Sequence, residues 1–169
     1  YSVLGKNDTI FIRPDSGEKE FNGEIVHKDR FNAWKEDTET RLSYSNTSSN
    51  LLCVVSEPVD IDREYRFVIA DKKVVTGSTY RVAKHLSYEE ISVEEISKGK
   101  LPVVVEFAEK VLTDSPSTMP PFFVLDIAES KEGFSVLELG CLCCAGLYEC
   151  DRKKIAEAVS IAAEKAYKE

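Results

Sequence analysis

FFVLDIAESKEGFSVLELG, residues 122–140, reads as two apolar strands, 122–129 and 133–140, folded about a turn at Ser130–Lys131–Glu132. Each arm carries one carboxylate in an otherwise apolar core: Asp126 follows Val124 and Leu125, and Glu138 follows Val136 and Leu137. Folding at the turn brings positions 126 and 138 near each other. Two facing carboxylates repel unless something positive lies between them. One answer is a hard cation such as Mg²⁺, which takes oxygen ligands and commonly joins carboxylates to nucleotide phosphates. The other is a solvated or salt-bridged pair.

Working outward, EYRFVIA (64–70) and KVVTGSTYR (73–81) flank Asp71–Lys72 and predict a second hairpin. LLCVVSEPV (51–59) is a continuous apolar run, the pattern of a buried strand, and ends at Pro58. TIFIR (9–13) is a short strand stopped by Pro14, and residues 24–26 form another. Helices are expected from Asp29, as cap, to near Asp37, over the charged residues 88–99, over 103–112 behind Pro102, and over 151–168 capped by Asp151. In the last of these, Ile155, Ala158, Val159, Ala162 and Ala166 recur at helical spacing. SYSNTSSN (43–50) has little to bury and reads as a connector. Strands in hairpins with a few helices between give an α+β class with a mainly antiparallel sheet.

The net charge of −8 argues against nucleic acid or an anionic membrane as the main partner, since both need a basic face. No apolar run approaches the roughly 20 residues of a bilayer span. The chain opens YSVLGKNDT, without Met and without a basic-then-apolar start, which predicts further sequence upstream and no signal peptide. Of five cysteines, Cys141, Cys143, Cys144 and Cys150 are crowded together, whereas a disulfide framework would spread them; a reducing cytoplasm is expected. Four close thiols could bind Zn²⁺, but C-x-C-C-x₅-C is not a pair of C-x-x-C knuckles, and Cys is a common buried small residue. His27 and His85 show no recognisable catalytic partner.

The basic residues suit phosphate oxygens. Arg13 ends one strand, Arg66 lies inside another and Arg81 ends a third, and Arg offers a bidentate fork. Lys19 lies in the polar loop DSGEKEFNG (15–23), which suits a flap but is not a P-loop.

Taken in order, FIRPDSGEKEFNG (11–23), VVSEPVDIDREYRFVIADKKVVTGSTYR (54–81), FFVLDIAESKEGFSVLELG (122–140) and AGLYECD (145–151) resemble the ATP-grasp superfamily. They are most similar to its small arginine- and lysine-rich clade found in phage and bacterial genomes. The resemblance implies an ATP-grasp-like α+β fold, with antiparallel sheets and flanking helices in two lobes around a nucleotide cleft. The small lobe would span about 1–57 and the large lobe about 58–169. It implies Mg-ATP as cofactor and a carboxylate–amine ligase reaction through an acyl-phosphate, on small-molecule or peptide substrates. Arg13 and Lys19 match the phosphate-contacting bases, Ser56, Glu57 and Val59 the hinge that meets adenine, and Glu64 a residue facing the nucleotide or an arginine. Arg66 and Arg81 match the arginines facing the phosphates or acyl-phosphate. Asp126 and Glu138 match the two acidic metal ligands. The family usually has Asn two residues after the second acid, where this chain has Gly140. That departure keeps a second reading open, a regulatory or degenerate nucleotide-binding relative without turnover. The sequence does not fix the oligomeric state.

Overall fold

A computed structural model of the chain describes residues 8–44, 50–83, 85–91, 102–116 and 118–168. The chain divides into two compact units, Tyr1–Val59 and Asp60–Glu169.

In the first unit, β1 (Thr9–Pro14) pairs antiparallel with β2 (Glu24–His27) on one side and β3 (Cys53–Ser56) on the other. Alternation turns Ile10 and Ile12 to the same side, where Phe21 and Val26 join them in a small core. The helix α1 (Phe31–Tyr44) adds Phe31 and Trp34 to that core, and the Trp34 indole N–H donates to Glu24 Oε2 at 2.9 Å. This helix runs past the expected end near Asp37, because Thr38 and Leu42 are buried and continue its inner face. Asp29 is not its cap. It lies in a 3₁₀ turn, Lys28–Arg30, and pairs with His27. Residues 43 and 44 of the expected connector belong to α1, and residues 45–49 lie outside the described set. The apolar run 51–59 also departs from expectation. Only Cys53–Ser56 is strand, at a sheet edge, and Leu52, Val55 and Val59 are exposed. Edge position, not hydropathy, decides its burial.

The second unit is built on a five-stranded antiparallel sheet. Its strands are β4 (Ile61–Ala70), β5 (Lys73–Val82), β6 (His85–Ile91), β7 (Phe122–Ser130) and β8 (Gly133–Gly140), in the order β6-β5-β4-β7-β8. Asp71 and Lys72 turn the first hairpin with φ of 46° and 58°. Positive φ at both central residues is the type I′ geometry, whose twist matches that of the flanking strands.

One sheet face carries Tyr65, Phe67, Ile69, Leu125 and Ile127, covered by Val104, Val105, Ala108 and Leu112 of α2 (Val103–Asp114). Gly77 sits opposite Phe67, where a Cβ would come within 2.5 Å of the Phe67 ring, so only glycine lets the ring lie across the strand. On the other face, Val68 and Val124 pack with Cys150 and with Ile155 of α3 (Arg152–Lys168). Asp151 caps α3, its Oδ1 accepting from the backbone N–H of Lys153 at 2.9 Å and of Lys154 at 3.1 Å. Ala166, expected on the buried face, is exposed.

The helix expected over 88–99 is corrected in its described part. Residues 88–91 belong to β6, where Ile91 pairs with Gly77 and is buried in the core, a tertiary contact that overrides local helical preference. Residues 92–99, with Glu94 and Glu95, lie outside the described set. No described helix is long and apolar enough to cross a membrane.

Candidate functional site

The charged strand residues of the second unit collect on the sheet face opposite α2. β4 contributes Glu64 and Arg66, β5 contributes Ser78 and Tyr80, and β7 contributes Asp126, which is in register with both Arg66 and Glu138 of β8. Period-2 alternation puts these side chains on one side. Three pairing irregularities fall here, between Glu64 and Tyr65, between Thr79 and Arg81, and between Asp126 and Ile127. Bulges re-aim side chains and cluster beside functional sites.

Arg66 is the centre of the cluster. Its Nε donates to Asp126 Oδ1 at 2.8 Å and its Nη2 to Oδ2 at 2.6 Å, a parallel fork. Its Nη1 donates to the Gly146 carbonyl at 3.0 Å. The guanidinium lies 5.6 Å from the ring centre of Tyr80 and 5.2 Å from that of Tyr148, within cation–π range. Tyr148 stacks between Tyr80 and Tyr88, at 5.0 Å and 5.3 Å. The Arg66 side chain is 13% exposed and that of Asp126 5%. The hydrogen bonds to Asp126 hold the Arg66 guanidinium above its ordinary pKa, against the opposing effect of burial.

The facing-carboxylate expectation thus meets a specific arrangement. Asp126 and Glu138 are directly opposite, as the hairpin predicts. The positive charge beside Asp126 is Arg66, so the salt-bridge alternative describes that carboxylate, while Glu138 is exposed. Alongside, the buried Glu64 accepts from Arg81 Nη1 at 3.0 Å and from the Tyr80 hydroxyl. Burial first, and the bond to Glu64 second, push the Tyr80 hydroxyl far above its ordinary pKa, so it stays a donor. Arg81 is half exposed.

The other sequence-derived residues lie in the first unit. Arg13 is exposed and its Nη1 donates to the Pro14 carbonyl at 2.9 Å. Lys19 is exposed at φ 51° in a loop held by Ser16, whose Oγ donates to Glu20 at 2.6 Å. With Phe21, Thr38 and Arg41 it lines a cavity of about 260 Å³. Ser56, Glu57 and Val59 are exposed at the end of β3.

For Mg²⁺, the donors fit in kind. Asp126 and Glu138 offer hard oxygens on one face, and Mg²⁺ is commonly held by one or two carboxylates together with substrate phosphates. Each Asp126 oxygen takes one bond from Arg66 and keeps a second lone pair. Gly140 adds no side-chain oxygen, and a Cβ there would meet Val124 Cγ2 at 2.9 Å. Among the described residues, no group of three or more His, Cys, Asp or Glu is placed to hold a metal ion. Cys141 and Cys143 are exposed, whereas Cys150 is buried with its thiol 3.9 Å from the Arg66 carbonyl.

Residues 2–158 match a family model for the ATP-grasp domain, the second family of its clade. The chain belongs to that ATP-grasp family. Among solved structures, this ATP-grasp chain is similar to ATP-grasp ligase PsnB complexed with a minimal precursor (15% identity, TM-score 0.52, covering 96% of this chain and 49% of that one). It is also similar to D-alanine–D-alanine ligase from Bacillus anthracis complexed with ATP (19% identity, TM-score 0.53, 95% and 49%). A third is D-cycloserine synthetase DcsG (12% identity, TM-score 0.52, 94% and 56%). At such identities the likeness concerns the fold, which is α+β of the ATP-grasp type. The chain spans about half the length of these structures. No curated protein matches the sequence.

The tyrosine stack and Gly146 escaped the sequence reading. Tyr80 alternates with Ser78 in KVVTGSTYR, so its place on the Arg66 face was available from period-2 spacing. Tyr148 and Gly146 come from a loop after β8 and carry no periodic signal.

Proposed function

We propose that this chain is the nucleotide-binding part of an ATP-dependent carboxylate–amine ligase. In that reaction class a carboxylate takes the terminal phosphoryl group of ATP, and an amine then displaces phosphate from the acyl-phosphate. The observation that carries the reading is one sheet face, in a member of the ATP-grasp family, bearing two arginines and two carboxylates in register. Asp126 and Glu138 are the residues that would hold Mg²⁺, which when bound neutralises phosphate charge. Arg81, half exposed, is proposed to meet the negative charge that develops on transfer, with Arg66 positioned behind it by Asp126, Gly146 and the tyrosine rings. Preorganised donors of this kind are worth on the order of 10²–10³ in rate each. Glu64 orients Arg81. Arg13, Lys19, Ser56, Glu57 and Val59 are proposed nucleotide contacts on the strength of the resemblance. A small molecule or a peptide end would supply the carboxylate and the amine, and the cytoplasm is the proposed compartment.

A second reading, nucleotide binding without turnover, is favoured by Gly140. A side chain there is opposed by Val124, so no third ligand stands beside the two acids. Calorimetry with Mg-ATP, paired with ADP release over a panel of amino acids and peptides, separates the two. Saturable binding with substrate-dependent ADP release supports the ligase. Binding with no release on any member of the panel supports the second reading, and absence of binding contradicts both.

A further inference from the structure

Cys141 and Cys143 flank the start of a 3₁₀ turn, Leu142–Cys144, that follows directly on β8. Both are exposed, and their sulfurs are 3.0 Å apart. The other described cysteines are placed differently. Cys150 is buried beneath the sheet, and burial with the nearby charge of Glu20 raises the Cys53 thiol above its ordinary pKa, which lowers its thiolate fraction. The site described above uses neither Cys141 nor Cys143.

We propose that Cys141 and Cys143 are a redox modification site, closing to an intrachain disulfide on reaction with a low-molecular-weight disulfide such as oxidised glutathione. One thiol of the pair loses its proton, and the thiolate attacks the glutathione disulfide. A protein–glutathione bond forms and one glutathione thiolate leaves. The neighbouring thiolate then attacks the protein-side sulfur, forming the Cys141–Cys143 bond and expelling the second glutathione thiolate. Two protein thiols are oxidised, one disulfide is reduced, and the two protons go to the two glutathiones. The geometry favours the second step because the attacking sulfur is already in contact with its target, and closure to a bond of about 2.05 Å needs a movement of roughly 1 Å. Both sulfurs are open to solvent, so the first step is accessible as well. A ring closed across a single residue is tight, and strained, exposed disulfides lie at the easily reduced end of the range. The bond is therefore reversible. Its place in the fold is the head of the loop that reaches Arg66 through the Gly146 carbonyl and the Tyr148 ring.

The test is non-reducing peptide mass mapping of the whole chain after incubation with oxidised glutathione. It is run on the wild type and on Cys144→Ser, which removes the adjacent thiol as an alternative partner. The expected result is loss of two hydrogen atoms from the peptide spanning 141–143 in both proteins, reversed by dithiothreitol. Cys143→Ser in the Cys144→Ser background should stop at a glutathione adduct on Cys141. Stable adducts on both cysteines without an internal bond, or no reaction at either, would overturn the proposal.

Discussion

Arg66 and Asp126 form a buried, bidentate pair, and that makes them structural as well as chemical residues. Removing one partner strands the other's charge in the interior, at a cost of about 3–5 kcal/mol, whereas replacing both by apolar groups is often tolerated. Arg66→Met is therefore expected to lower the stability of the second unit by that amount in urea denaturation, and the Arg66→Met/Asp126→Leu double variant to recover most of it. Loss of turnover in Arg66→Met alone would not separate chemistry from folding, which makes exposed residues the better probes. Tyr65 gives a pH signature. Burial, and then its bond to Glu129, push its hydroxyl from 10.0 up to about 12. The folded state holds this proton more tightly than the unfolded chain, so the associated stability is complete below pH 10 and is lost as pH rises through about 12. Thermal unfolding across that window should show a falling stability whose slope is reduced in Tyr65→Phe. At this scale the sequence displayed the charges, because Asp126 and Glu138 interrupt apolar strands. It did not display which cation answers Asp126, since Arg66 lies on a strand whose neighbour is set by sheet order.

Both hairpins of the second unit were legible, because a tight turn fixes register and register fixes which side chains face each other. The edge position of β3 was not, since an apolar run looks the same whether one neighbour or two will cover it. The end of α1 was hidden for a related reason. Thr38, polar in type, is buried and extends the inner face. The start of α3 was readable in Asp151. Its carboxylate accepts from the Lys154 and Lys153 backbone N–H groups, which hold its pKa below the ordinary value. A carboxyl lowered in the folded state contributes stability above the unfolded-state pKa and loses it as pH falls through the folded value. Asp151→Ala is accordingly expected to melt at a lower temperature than the wild type at neutral pH, with the gap narrowing in acid. A gap independent of pH would show that the carboxylate charge is not what caps the helix.

For the molecule as a whole, the order of motifs along the chain carried the family, and the family match over residues 2–158 carries the fold. What the order could not convey is how far this chain departs from its relatives at Gly140, where Val124 occupies the space a side chain would need. The account's central claim is that the face bearing Asp126 and Glu138 holds a nucleotide through a metal ion. Glu138 tests it with least disturbance, being exposed at the end of the carboxylate pair. The decisive measurement is calorimetric titration of a nonhydrolysable ATP analogue into the wild type and Glu138→Gln, each with and without Mg²⁺. The account predicts saturable binding to the wild type that Mg²⁺ tightens, and a loss of about tenfold or more in Glu138→Gln that appears only when Mg²⁺ is present. Identical isotherms for the two proteins in Mg²⁺, or no binding by the wild type, would contradict it.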